Sequence, residues 1–174
     1  MSGHQRLIIA IVFCCLALAG RGQPADWKTL QCTKVSLRYP PTWHPAEESR
    51  GQQKRYTLTP DSMQRLTMRM FDMMELHVDS AHGYGYFKNS FNTLLHPNAK
   101  SPTKILKTGE ITFKGHNCMY AEMTNNGLPQ KVYAIDAGHI IYLVILTESR
   151  YSKIADPAMK RDGMAILNSI TLDQ

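Results

Sequence analysis

Residues 139–147 read HIIYLVILT, and positions 140–146 (IIYLVIL) are apolar without a break. A half-buried strand alternates apolar and polar residues, so an unbroken run rich in β-branched side chains marks a strand covered on both faces. Seven residues fall far short of the ~20 that a membrane-spanning helix needs. This run is therefore the centre of a sheet. Working upstream, residues 104–108, 110–113, 116–124 and 130–136 read as shorter strands. They are divided by Gly109, Lys114-Gly115, Asn125-Asn126-Gly127 and Ala137-Gly138, which are hairpin-type turn signals. The centre of the chain is a meander.

Nearer the N-terminus, Val35, Leu37 and Tyr39 alternate with Ser36 and Arg38, and Pro40-Pro41 stops the pattern. Residues 54–59 (KRYTLT) and 65–73 (RLTMRMFDM) read as two more strands around a Pro60-Asp61-Ser62 turn, with 47–53 as a polar loop. Phe87, Phe91, Leu94 and Leu95 recur at helical spacing after a start at Asp79-Ser80, although Gly83 and Gly85 weaken the first turns. Asp156-Pro157 opens a second helix, with aspartate as N-cap and proline at the first helical position. Strands then helix, strands then helix: this order gives an α+β fold, an antiparallel β-sheet of about six to eight strands flanked by two main helices.

The first residues differ from the rest. Arg6 precedes a 12-residue apolar run, LIIAIVFCCLAL at 7–18, and small residues follow at Ala17, Ala19 and Gly20. That layout is expected of a secretory signal at 1–19, with a leader at 20–33 and one domain at 34–174. Phe13 stands before Cys14 where a lipidated cysteine wants a small neighbour, which weighs against a lipid anchor. The expected address is periplasmic or secreted. Cys32 and Cys118 then remain, either as one disulfide, as an oxidising compartment allows, or as two free buried thiols. The net charge is +6 with basic residues scattered. Nucleic-acid binding would need a basic stripe with aromatics, so the charge is read as a solvated surface that steers an acidic protein partner.

The stretch VSLRYPPTW at 35–43 resembles the opening of PsbP-like domains, where an alternating strand runs into a Tyr-Pro-x-x-Trp turn, here Tyr39, Pro40 and Trp43. The helix after the third strand, the meander and the closing helix agree with that resemblance. It implies an α/β/α sandwich and a non-enzymatic scaffold that docks on other proteins. The family includes an extrinsic photosystem subunit, a Ran-binding import factor and DcrB-type envelope proteins. Tyr39, Pro40 and Trp43 read either as a core-closing turn or as a docking contact.

The sequence holds no nucleophile elbow, zincin, Cys-x-x-Cys, P-loop or EF-hand motif. No cofactor is expected. Gly83-Tyr84-Gly85 is too short for a phosphate loop. The alternative reading is a zinc or copper carrier, or an enzyme, with a site assembled from scattered histidines such as His44, His77 and His139. His77 and His82 lie five positions apart, off the spacing that stacks two ligands on a helix. Met68, Met70, Met119 and Met123 are better placed for core packing than for copper.

Overall fold

A computed structural model of the chain describes residues 26–51, 53–66, 70–78, 83–95, 103–148 and 157–172. The expected signal segment, Asp79-Ser80, His82 and Met68 lie outside these residues. In chain order the elements are β1 (Lys28–Gln31), β2 (Val35–Tyr39), β3 (Trp43–Arg50), β4 (Gln53–Pro60), a 3-10 helix (Asp61–Leu66) and β5 (Phe71–His77). There follow α1 (Gly83–Leu95), β6 (Lys104–Phe113), β7 (His116–Asn125), β8 (Leu128–Asp136), β9 (Ile140–Thr147), α2 (Pro157–Ser169) and β10 (Thr171–Leu172).

Seven strands form one antiparallel sheet in the order β3-β4-β5-β9-β8-β7-β6, with β9 at its centre. Of the residues in β9 only Ile145 is not fully buried, as the unbroken apolar run requires. Residues 114–115 and 126–127 all have positive φ (50°, 86°, 48° and 72°). That is the type I′ geometry whose twist matches adjacent strands, and glycine takes the second place of each turn at no steric cost.

Each face of the sheet is covered by apolar side chains on a two-residue period. One face carries Tyr56, Phe71, Met73, Tyr142, Val144 and Ile135, packed under Val35 and Leu37 of β2 and Ile166, Leu167 and Ile170 at the end of α2. The other carries Met119, Ala121, Val132, Ile141 and Leu143 under Phe87, Phe91 and Leu95 of α1. These are called the α2 face and the α1 face below. The methionines at 63, 70, 73, 119 and 123 are buried in these two clusters.

Several expectations are corrected. The chain is mainly antiparallel sheet. The α2 face is covered by a small three-stranded sheet, β1-β2-β10, together with α2, so the expected flanking pair of main helices does not describe it. Residues 28–31, expected as leader, pair with β2 from Lys28↔Tyr39 to Gln31↔Ser36. The expected loop at 47–53 contains the second half of edge strand β3 and the first residue of β4. In β3 only Trp43 is buried, so no alternation marks it in the sequence. The strand expected at 65–73 starts at Phe71, because the Pro60-Asp61 turn winds on into the 3-10 helix. Residues 104–113 form one strand through Gly109, with an irregular register between Ile105 and Lys107.

Candidate functional site

The turn between β2 and β3 belongs to the core. Trp43 is 2% exposed and Tyr39 6%, Pro40 is buried, and Trp43 N–H closes the turn onto Pro40 O at 3.0 Å. Ser169 at the end of α2 fastens the strand above it: its hydroxyl accepts Arg38 N–H at 2.7 Å and lies 3.0 Å from Arg38 O. These residues are placed to hold the β1-β2-β10 layer on the sheet, and Trp43 offers no surface to a partner.

Next to that layer lies a buried polar cluster that the sequence did not reveal. Glu75, with no exposure, points from β5 into the α2 face and accepts Thr33 N–H at 3.1 Å and Thr33 Oγ1–H at 2.7 Å. Tyr142 Oη accepts Lys34 N–H at 3.2 Å. A buried carboxylate is tolerated when its lone pairs are taken, and here they pin the β1-β2 turn. On the α1 face Arg55 Nε donates to Asp72 Oδ1 at 2.8 Å, with a second contact from Nη2 to Oδ2.

Cys32 and Cys118 are both free, buried thiols. The register runs Cys118↔Ile135↔Tyr142↔Glu75, which puts three strand spacings, about 14 Å, between Cys118 and the Glu75 row. Cys32 precedes the Thr33 that binds Glu75, so a bridge is out of reach without moving backbone. Burial pushes both thiols up to about 12, with Glu75 and Glu47 adding to the effect at Cys32. At that value the thiolate, which is the nucleophilic form, is scarce near neutral pH.

The histidines do not converge. His77 ends β5 beside Ile140, and Val78 N–H bonds His139 O at 2.9 Å, so those two share one end of the sheet. His44 pairs with Thr59 at the opposite end, about 20 Å away at the usual rise per residue, and its ring contacts Asp61 in an exposed pair. Among the described residues no three His, Cys, Asp or Glu side chains are grouped to hold a metal. Gly83-Tyr84-Gly85 forms the first turn of α1.

What stands out at the surface is β6, the end strand of the seven. Seven consecutive positions, 106–112, are exposed. Among the described residues Leu106 (57%) and Ile111 (43%) are the large apolar side chains left in solvent. The two-residue turn at 114–115 makes Phe113 and His116 a mutually hydrogen-bonded pair. Hydrogen-bonded and non-hydrogen-bonded pairs alternate along an antiparallel ladder. Gly109 and Ile111 therefore aim their backbone groups at β7, while Thr108, Glu110 and Thr112 aim theirs outward. Open recesses border both ends of the strand. One, of about 300 Å³, is lined by Tyr84, Glu110, Thr112 and Asn117. The other, of about 270 Å³, is lined by Leu106, Gln130, Lys131 and Glu148. The Tyr84 hydroxyl is buried without a hydrogen-bond partner among the described residues. Burial, then Cys118, Glu110 and Asp136, push it up to about 12, so it stays a neutral donor. Lys114 of the hairpin turn donates to Ile170 O at 2.6 Å and ties this edge to the chain leaving α2. The signal in the sequence was the polar, glycine-broken KILKTGEITF at 104–113 with its two isolated large apolar residues.

No protein-family model matches the sequence, and no curated protein does. Among solved structures the chain is similar to the solution structure of cyanobacterial PsbP (CyanoP) from Synechocystis. The TM-score is 0.60 at 9% identity, covering 88% of this chain and 96% of that one. A Bacteroides thetaiotaomicron protein matches at TM-score 0.45 and 11% identity over 86% of this chain and 49% of that one. A Pseudomonas aeruginosa protein of unknown function matches at 0.40 and 15% over 81% and 95%. The first of these extends over nearly the whole of both chains, and the fold of this protein is PsbP-like.

Proposed function

We propose that this chain is an exported docking module of the PsbP-like type, which binds another protein through the β6 edge and performs no chemistry of its own. The observation that carries this is the open strand itself. Its outward N–H and C=O groups at 108, 110 and 112 are joined by the exposed Leu106 and Ile111. Monomeric proteins blunt edges with charge, proline and bulges. The opposite edge, β3, carries Pro45, Glu47, Glu48 and Arg50 and no exposed large apolar side chain, while β6 sets Leu106 and Ile111 in solvent between its lysines and Glu110. The segment 107–113 carries no proline. Export rests on the signal-like segment at 1–19. Among the described residues no helix is long and apolar enough to cross a membrane.

The test compares the wild type with Leu106→Asp/Ile111→Asp as bait in native envelope extract. Both side chains are exposed, so the variant should melt within about 0.5 kcal/mol per site of the wild type. The expected result is a partner retained by the wild type and lost by the variant. Equal capture by both would remove β6 from the binding surface.

A further inference from the structure

Resting on that reading, we infer that the occupant of β6 is one extended, apolar-and-acidic peptide segment of a partner protein, which adds to the sheet as an eighth strand. The backbone groups facing outward at Thr108, Glu110 and Thr112 repeat every second residue, a spacing met by another strand and by no helix. The extra residue near Leu106 breaks the ladder, so the regular part of the edge is 107–113 and accepts about seven partner residues.

The chemistry of the segment follows from what flanks the edge. On the α2 face an added strand meets Lys107, Gly109 and Ile111, with the exposed Leu106 beside them at the irregular step of the ladder. Gly109 has nothing within 4 Å of where a Cβ would stand, and Tyr120 is its neighbour on β7. A large apolar side chain of the occupant can cross Gly109 and lie against Tyr120. The face therefore asks for apolar residues at alternate positions. On the α1 face the neighbours are Thr108, Glu110 and Thr112, which ask for threonine or serine.

Charge selects the end. Glu110, the single acid of the strand, is taken by Lys88. Lys107 lies over the Tyr120 ring, 5.9 Å from its centroid, and Lys104 is exposed three residues upstream. Lys107 stands opposite Glu122 of β7, whereas Lys104 stands opposite Thr124, so Lys104 is the lysine of β6 with no acid across the ladder and carboxylates belong at that end of the strand. In antiparallel addition that is the C-terminal end of the peptide. A second copy of β6 fits worse: pairing about Gly109 sets Lys107 against Ile111 and supplies no acid to either lysine.

The probe is a fluorescent eight-residue peptide alternating valine and threonine, with two aspartates replacing the last residues, titrated by anisotropy against the full chain without its signal segment. The controls are the same peptide with alternate backbone nitrogens methylated, and one with lysines for aspartates. Binding should fall about tenfold or more with N-methylation, since each lost backbone bond removes on the order of 1 kcal/mol. It should fall comparably in Thr108→Pro and in Thr112→Pro. Each of those removes an outward N–H and leaves the β6–β7 ladder intact. Equal binding of the methylated peptide, or of both proline variants, would overturn strand addition. So would a concentration-dependent dimer in sedimentation that protects the β6 amides, since the occupant would then be a second copy. If the wild type captures a partner that Leu106→Asp/Ile111→Asp loses, yet no peptide binds, docking stands and the strand-addition inference falls. If it captures none, the docking reading falls as well.

Discussion

Trp43 stands where β2 turns into the large sheet, and emptying its site tests whether that turn closes the core. A buried aromatic of this kind removes about 150–250 Å² from water, which at about 25 cal/mol per Å² amounts to roughly 4–6 kcal/mol. Alanine keeps a small part of that area and the pocket relaxes a little, so Trp43→Ala should cost about 3–5 kcal/mol. The side chain is only 2% exposed and belongs to the cluster that includes Tyr56, Phe71 and Ile170, so the upper half of that range is expected. A domain of this size loses about 2–4 °C of Tm per kcal/mol, giving a fall of roughly 8–20 °C. Thermal melts followed by circular dichroism, with urea titration as the independent measure, read it directly. Trp43→Phe should recover more than half of the loss. A Tm within about 2 °C of the wild type would refute the packing described here and move Trp43 to the surface.

Thr33→Val removes the hydroxyl that Glu75 accepts at 2.7 Å and should cost about 1.5–3 kcal/mol, the range for a bond to a charged group. An unchanged urea midpoint would show that the β1-β2 turn is held by something else. Burial raises the Cys32 and Cys118 thiols from 9.0 to about 12, so the unfolded chain releases their protons first. Their contribution is whole below about pH 9 and is lost as pH rises towards 12, at up to about 1.4 kcal/mol per pH unit for each thiol. Cys118→Ala should flatten that fall, and an identical pH profile in the variant contradicts the assignment. Mature protein from the native host should begin near Gly20, and sequencing that finds Met1 intact would remove the export proposal.

The central sheet was readable because its residues carry a periodic signal. IIYLVIL at 140–146 has no polar position to place it anywhere but between two covered faces, and Lys114-Gly115 and Asn126-Gly127 spell their turn type. The N-terminal third was harder for identifiable reasons. β3 is exposed at every residue after Trp43, so the hydrophobic effect leaves no pattern on it. In β5 the buried Asp72 and Glu75 interrupt the apolar alternation, because their partners Arg55 and Thr33 lie 17 and 42 positions away. β1 is too short to show a period. For the site, the open edge of β6 follows from strand order, which pairings distant in sequence decide. Leu106 and Ile111 were visible in the sequence, but not their exposure.

Residue-resolved amide hydrogen exchange along β6 tests the central claim most directly. In the free chain, Thr108, Glu110 and Thr112 should exchange rapidly while Gly109, Ile111 and Phe113 are protected by β7. In the complex with the captured partner those three fast amides should slow by about tenfold or more, as a bonded edge requires. If all six amides are already protected in the free chain, or if the three outward ones stay fast in the complex, β6 is not the docking edge.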